Sequence, residues 1–313
     1  MRPTSVPGYL ALEWRRRWPQ GVINSGWLTS AARRPTASRD VLNIPDLMAT
    51  MKNIDVVFHT PFFSRSGYAS VIESGDRVER DVKTFEVNAF GTFNVLRAAQ
   101  EAGVPKAVVV TSEAARGQRI PITDVEVCDE ETPAKPDYVY ALTKYTQEVM
   151  CEYFTRIEGI KTICLRNGAF GAPYGRNKVG RTLQLVGSSL LHQQLVTRND
   201  MARAAVLAIE NQTLEHEVFL RCNATEFTRE DVPALRTNPE QVIEKYYPGA
   251  VSLLTEYGVD MQRLYESKEL WKLDDMSKAE RLLAWKPTFT FRDFYENLKA
   301  GEYTKDYVFP HAD

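Results

Sequence analysis

Ala107-Val108-Val109-Val110-Thr111-Ser112 is the stretch on which the reading of the fold turns. Apolar and β-branched residues follow one another there with no polar alternation, the pattern of a strand buried on both faces, as in a parallel sheet. Working outward, Ile54-Asp55-Val56-Val57-Phe58-His59 reads as a second short strand and Thr162-Ile163-Cys164-Leu165 as a third. Between the first two of these in chain order, Val82, Phe85, Ala89, Phe93, Leu96 and Ala99 step by three and four. That spacing predicts one apolar helical stripe, which Gly103 closes. Tyr138 to about Ile157 is the next helix. Strand, helix, strand in repetition implies right-handed crossovers and an α/β fold, a doubly wound parallel sheet of the Rossmann-like kind. Farther on, Met201 to Ile209 reads as a helix and Glu217 to Leu220 as a strand. Residues 233 to 273 are polar, interrupted by Pro239 and Pro248, and poorly periodic.

The bulk properties exclude several classes of function. The 313 residues carry 39 basic and 41 acidic side chains, a net charge of -2, too little for a nucleic-acid footprint or a strong membrane field. Mean hydropathy is -0.35 and no apolar run approaches the roughly 18 residues of a membrane span, so a soluble protein is expected. Cys128, Cys151, Cys164 and Cys222 are too far apart for a zinc ribbon or a CxxC motif, which points to a reducing, cytoplasmic setting. His59, His192, His216 and His311 show no HExxH spacing, and no metal is expected. Residues 1–39 stand apart, with seven arginines against the single acid Glu13. They read either as an irregular start or as an organellar import segment, and they lack the apolar core of a secretory signal.

Tyr140-Ala141-Leu142-Thr143-Lys144 carries the chemistry. Four residues make just over one helical turn, so Tyr140 and Lys144 project from one face at the start of a helix. A free phenol has a pKa near 10, and an ammonium beside the ring stabilises the phenolate and brings it toward neutrality. Thr111-Ser112 ends a strand at the carboxyl edge of the sheet, where open α/β folds place ligands. A hydroxyl there is placed to hold the same substrate oxygen that the tyrosine protonates or deprotonates.

With these residues in view, the chain resembles the extended short-chain dehydrogenase/reductase family, the NAD-dependent epimerase/dehydratase group, over residues 40 to 298. Asp40-Val41 resembles the family's adenine-side pair, and Asp55-Val56-Val57-Phe58-His59 its fourth-strand signature. Val87-Asn88-Ala89-Phe90-Gly91-Thr92-Phe93-Asn94 is similar to its Val-Asn-x-x-Gly-Thr-x-Asn helix. Thr111 to Gly117 matches the catalytic turn, Tyr140 and Lys144 the catalytic pair, and Ser277 to Pro287 the closing Ser-Lys-Ala...Leu-Gly-Trp-x-Pro segment. Three departures accompany the match. The N-terminus is atypical, with no glycine-rich loop among Gly8, Gly21 and Gly26; Thr60-Pro61-Phe62 follows His59; and Asn167 stands where a proline is usual after the arginine.

The resemblance implies Tyr140 as general acid/base, Lys144 as pKa depressor and ribose anchor, Ser112 as the orienting hydroxyl, and NAD or NADP as cofactor. Glu113 is either the acid that protonates a leaving hydroxyl or a carboxylate paired with a nearby base. Cofactor-side positions are Asp40, Val41, His59, Thr60, Asn88, Lys144 and Asn167. The expected organisation is an Arg-rich segment at 1–39, a Rossmann-like dinucleotide domain at 40–166, and a substrate lobe at 167–313 with elements returning to the sheet. The expected activity is oxidoreduction, epimerisation or dehydration at a hydroxyl or carbonyl of a sugar nucleotide or other small molecule, with a homodimer as the assembly. The alternative is a binding or regulatory protein that keeps the fold after losing catalysis. Arg176, Lys178 and Arg181 are either a phosphate grip or a solvated basic loop.

Overall fold

The computed structural model describes residues 40–60, 77–117, 126–170 and 186–302. The expectations for residues 1–39, for Pro61-Phe62, for the basic loop at Arg176, Lys178 and Arg181, and for His311 lie outside the described residues. Strands in chain order are β1 (Val57–His59), β2 (Lys106–Ser112), β3 (Val127–Cys128), β4 (Lys161–Asn167), β5 (Ala169–Phe170), β6 (Leu195–Val196), β7 (His216–Arg221) and β8 (Leu273–Asp274). Two compact units share them. The first comprises residues 1–117, 133–166 and 202–219, and the second comprises 118–132, 167–201 and 220–313.

The first unit is built on a sheet of order β1-β2-β4-β7 with flanking helices, the Rossmann-like arrangement. β1 and β2 are parallel, with Val57 opposite Ala107 and His59 opposite Val109. Every residue of β2 from Lys106 to Thr111 is buried, as its unbroken apolar run requires. Helices α1 (Ile44–Thr50), α2 (Arg77–Phe85), α3 (Gly91–Glu101), α4 (Val139–Glu158) and α5 (Arg198–Glu210) make the connections. Gly91 permits close packing at the start of α3, because a Cβ there would lie 2.5 Å from Val41 Cγ2. Lys106, buried at the start of β2, turns its ammonium onto the carbonyls of Ala208, Ile209 and Asn211 at the end of α5. That contact satisfies the carbonyls a helix C-terminus leaves without partners.

One predicted stripe is corrected. Val82 and Phe85 were expected on the buried face with Ala89, Phe93, Leu96 and Ala99, but they are 51% and 42% exposed. A π-turn, Glu86–Phe90, interrupts the helix, and the Gly91 amide donates five residues back to the Glu86 carbonyl. One extra residue rotates the following side chains by about 100°. Ala89, Leu96 and Ala99 are therefore buried while Val82 and Phe85 face outward. The first expected strand is also shorter, since only Val57–His59 pairs with β2.

The second unit carries the parallel pairs β3-β8 and β5-β6 and the helices α6 (Val232–Thr237), α7 (Pro239–Tyr246), α8 (Ala250–Glu256), α9 (Met261–Glu266), α10 (Ser277–Leu283) and α11 (Phe291–Lys299). The poorly periodic region is thus four helices of six to eight residues. Each is too short to repeat its apolar face. Pro239 starts α7 instead of breaking it, because the first turn of a helix has no use for that N–H. Phe227, Tyr247, Trp271, Phe291 and Phe294 supply the aromatic core. Asp200 ties the chain end to this unit: its carboxylate accepts from Thr288 N and Oγ1 at 3.0 and 2.7 Å, and its carbonyl from Trp285 Nε1 at 2.8 Å. Ala284 stands at φ 51°, a left-handed position that explains the glycine of the resembled Leu-Gly-Trp segment.

Candidate active site

The site of the first unit is assembled where β2 ends and α4 begins. Ser112 leaves the strand with extended backbone angles and caps a 3₁₀ turn, Glu113–Arg116, accepting the Ala114 amide at 3.3 Å. Gly117 closes the turn at φ 90°, and a side chain there would collide with the Lys135 carbonyl. α4 packs along this turn and along β2. Tyr140 lies in its first turn, and Lys144 follows one turn later.

Lys144 is 2% exposed, and its Nζ donates to the Val110 carbonyl at 3.1 Å. The same ammonium stands 5.6 Å from the centre of the Tyr140 ring. Burial pushes the Lys144 pKa down to about 7, against the pull of the Glu148 carboxylate. The expected pair therefore exists as a contact, on one helix face and against the strand that delivers Ser112.

Beneath the pair lies a network of buried polar groups. His59 Nε2 meets Thr92 Oγ1 at 2.9 Å. Thr92 gives its own proton to the Asn88 carbonyl at 2.6 Å and receives Gln147 Nε2 at 2.9 Å. Since the Thr92 hydroxyl has one proton, the His59 Nε2–H is the donor and Nδ1 is a bare acceptor. Nδ1 is buried with no hydrogen-bond partner among the described residues. Burial, and the nearby Lys144 charge, lower the His59 pKa to about 3, so the ring is neutral. Asn88, on the π-turn, donates to Thr143 Oγ1 at 3.2 Å, and Thr143 donates to the Tyr140 carbonyl at 2.7 Å. A π-turn at such a position is a frequent companion of functional sites.

The other predicted residues are placed as follows. Glu113 is buried and paired with Arg116 at 3.1 Å, the second of its two readings. Asp40 is exposed and accepts the Leu42 amide at 2.9 Å, while Val41 is buried against the start of α3. Thr60 follows β1, half-buried. Asn167, in the second unit, is buried with its Oδ1 on Arg221 and its Nδ2 3.0 Å from Met201 Sδ. Sequence reasoning missed Thr143, Gln147 and Glu148, all buried on the inner face of α4, and Arg166. The available signal was spacing, because Glu148 extends the Tyr140, Lys144 series by another four residues.

A mostly parallel Rossmann-like sheet with a Ser, Tyr and Lys constellation at its carboxyl edge defines the class, and comparison with known proteins gives the family. The model of the NAD dependent epimerase/dehydratase family matches residues 28–219, and the chain belongs to that family. An uncharacterized protein of Methanocaldococcus jannaschii is 25% identical over 221 residues, covering 66% of this chain and 61% of the relative. A UDP-glucose 4-epimerase of Halalkalibacterium halodurans is 29% identical over 133 residues, covering 42% of this chain and 36% of the relative. The chain thus spans less than two thirds of the length of either relative. Among solved structures, a UDP-glucuronic acid 4-epimerase from Bacillus cereus in complex with NAD superposes with a TM-score of 0.55 at 18% identity, over 89% of this chain and 86% of that one.

The described residues fit the nicotinamide half of such a cofactor. Lys144 presents a buried ammonium at the carboxyl edge of the sheet, and His59 Nδ1 is an acceptor with no partner at the end of β1, suited to a hydroxyl.

Proposed function

We propose that the chain is an NAD(P)-dependent oxidoreductase or epimerase acting at a hydroxyl-bearing or carbonyl carbon of a sugar nucleotide or another small molecule. The observation that carries this reading is the buried Lys144 ammonium, fixed to the Val110 carbonyl and 5.6 Å from the Tyr140 ring. In this reading Tyr140 takes the proton from the substrate hydroxyl, or returns it to the carbonyl oxygen, and Ser112 holds that oxygen in place. Lys144 lowers the cost of the phenolate and reaches a ribose hydroxyl. A bound nicotinamide supplies or accepts the hydride. His59, Thr60 and Asn88 line or support the cofactor side, with Asp40 and Val41 toward the adenine. Glu113 is engaged by Arg116, so proton handling falls to Tyr140. The sugar-nucleotide preference is supported by the epimerase relative and leaves other carbonyl compounds to a substrate screen.

The test is calorimetric titration with NAD and NADP, followed by turnover of the wild type and Tyr140→Phe on nucleotide sugars. The expected result is cofactor binding by both proteins and loss of turnover, by about 10²-fold or more, in the variant. Undiminished turnover in Tyr140→Phe overturns the mechanism. A folded chain that binds neither cofactor supports the alternative of a protein that has left catalysis.

The assembly we propose is a homodimer through α2 and α4. These helices pack on each other, and their outer faces expose Val78, Val82, Phe85, Leu142, Tyr145, Val149, Tyr153 and Ile157. A contiguous apolar face of this kind marks an interaction surface. Charges of both signs border it on α2, Arg77, Arg80 and Lys83 beside Glu79 and Asp81, so a second copy meets opposite as well as like charges. All four cysteines are buried and none is in a disulfide, which supports a reducing compartment.

A further inference from the structure

One turn beyond Lys144 on the inner face of α4, Glu148 is buried, and its carboxylate takes three hydrogen bonds from two strands. Oε1 accepts from Thr111 Oγ1 at 2.7 Å and from Arg166 Nε at 3.0 Å, and Oε2 accepts from Arg166 Nη2 at 2.7 Å. Arg166 stands near the end of β4, and Thr111 is the residue immediately before Ser112 on β2. One carboxylate thus joins the helix of Tyr140 and Lys144 to the strand that ends in Ser112. A buried ion pair is weak ground for stability, because desolvating both charges offsets most of their attraction. Its presence beneath a catalytic pair calls for another reason.

The groups around Lys144 supply one. On its own helix it faces Tyr140 and Glu148. From β1 it faces neutral His59, and from β2 the Val110 carbonyl. The Glu113–Arg116 pair on the neighbouring turn is internally neutral, and the π-turn presents Asn88. Arg166, from β4, is paired with Glu148. Among the described residues, Glu148 is therefore the charge that holds the buried ammonium in its protonated form against desolvation.

We propose that Glu148 is a positioning residue of the site: clamped by Arg166 and Thr111, it keeps Lys144 protonated and in register with Tyr140 and Ser112. The inference rests on the functional reading of Tyr140 and Lys144 given above. Loss of the carboxylate charge removes the pull that favours the ammonium against desolvation, so the neutral amine gains.

The experiment follows the Lys144 side chain directly, by titrating the full-length protein labelled with ¹³C at lysine Cε, with the Lys144 resonance assigned from its loss in Lys144→Met. In the wild type the amine is expected to titrate near 7. In Glu148→Gln the midpoint is expected to fall by about one pH unit, a roughly ten-fold rise in neutral amine at a fixed pH well below both midpoints. Glu148→Asp, which keeps the charge, is expected to restore most of the shift. In turnover, the alkaline fall in kcat moves to lower pH in Glu148→Gln, with a smaller change in KM. A purely structural Glu148 lowers stability without moving the Lys144 midpoint, and an unmoved midpoint in the folded variant overturns the proposal. Should Glu148→Gln fail to fold, the neutral pair Glu148→Gln with Arg166→Gln is expected to lower the midpoint in the same direction by less, and an unmoved midpoint there is the same reversal. Failure of the functional reading shows separately, as absence of cofactor binding by the wild type.

Discussion

The two faces of the first half of α4 depart from the usual arrangement of a surface helix. In its first half the inner face buries Thr143, Lys144, Gln147 and Glu148, giving way to Cys151 and Phe154 farther on, while the outer face exposes Leu142, Tyr145, Val149, Tyr153 and Ile157. An ordinary amphipathic helix turns its apolar stripe to the core and its charges to water. Burying an ammonium and a carboxylate costs free energy that apolar side chains would not. Leaving five large side chains 37–55% exposed forgoes part of the roughly 1.5–3 kcal/mol that full burial of each is worth. The first cost makes sense when the inner face performs chemistry. The second makes sense when the outer face is covered by another molecule.

The comparison breaks most sharply at Lys144. Lys144→Met is expected to lower turnover by about 10²-fold or more. It should leave the urea midpoint unchanged or raised, because it removes a desolvated charge. A midpoint that falls in step with activity shows that the inner face is a structural network only. The outer face gives the converse test. Val149→Asp, measured by sedimentation, is expected to convert a dimer into a folded monomer that still binds cofactor. A wild type that sediments as a monomer removes the reason offered for the exposed stripe.

A smaller effect comes from the buried histidines. Burial lowers the pKa of His59 and of His192 from 6.5 to about 3. Between those values the unfolded chain binds more protons than the folded one, so stability is lost as pH falls below about 6.5. The slope is up to about 1.4 kcal/mol per pH unit for each ring. Urea unfolding at pH 7 and pH 5 should show the loss, and His59→Asn should reduce it. An identical pH dependence in the variant shows that His59 does not carry the loss.

Legibility followed local regularity. β2 and α4 could be read because an unbroken valine run and a long periodic helix announce themselves, and α4 spans Val139–Glu158 where Tyr138 to Ile157 was expected. The apolar stripe at Val82 and Phe85 was misread because a π-turn changes the phase of a helix without changing its composition. Residues 233 to 273 concealed their helices because each is shorter than the window over which periodicity shows. Tyr140 and Lys144 could be paired by their spacing alone. Glu148 could not be singled out, since an acid four residues past a lysine is common on exposed helices and only burial gives it meaning.

By itself, the sequence determined the element types of the sheet, the helical spacing of Tyr140 and Lys144, and the position of Ser112 at a strand end, because these depend on residues near one another in the chain. The tertiary structure alone decided that Lys144 is buried against Val110, that Glu148 meets Arg166 and Thr111, and that His59 Nδ1 stands without a partner. Those facts depend on groups up to 37 positions apart in the chain, as in the case of Thr111 and Glu148, and on the removal of water from around them. Desolvation converts an ordinary lysine and glutamate into a coupled pair, and no local pattern of residues records it.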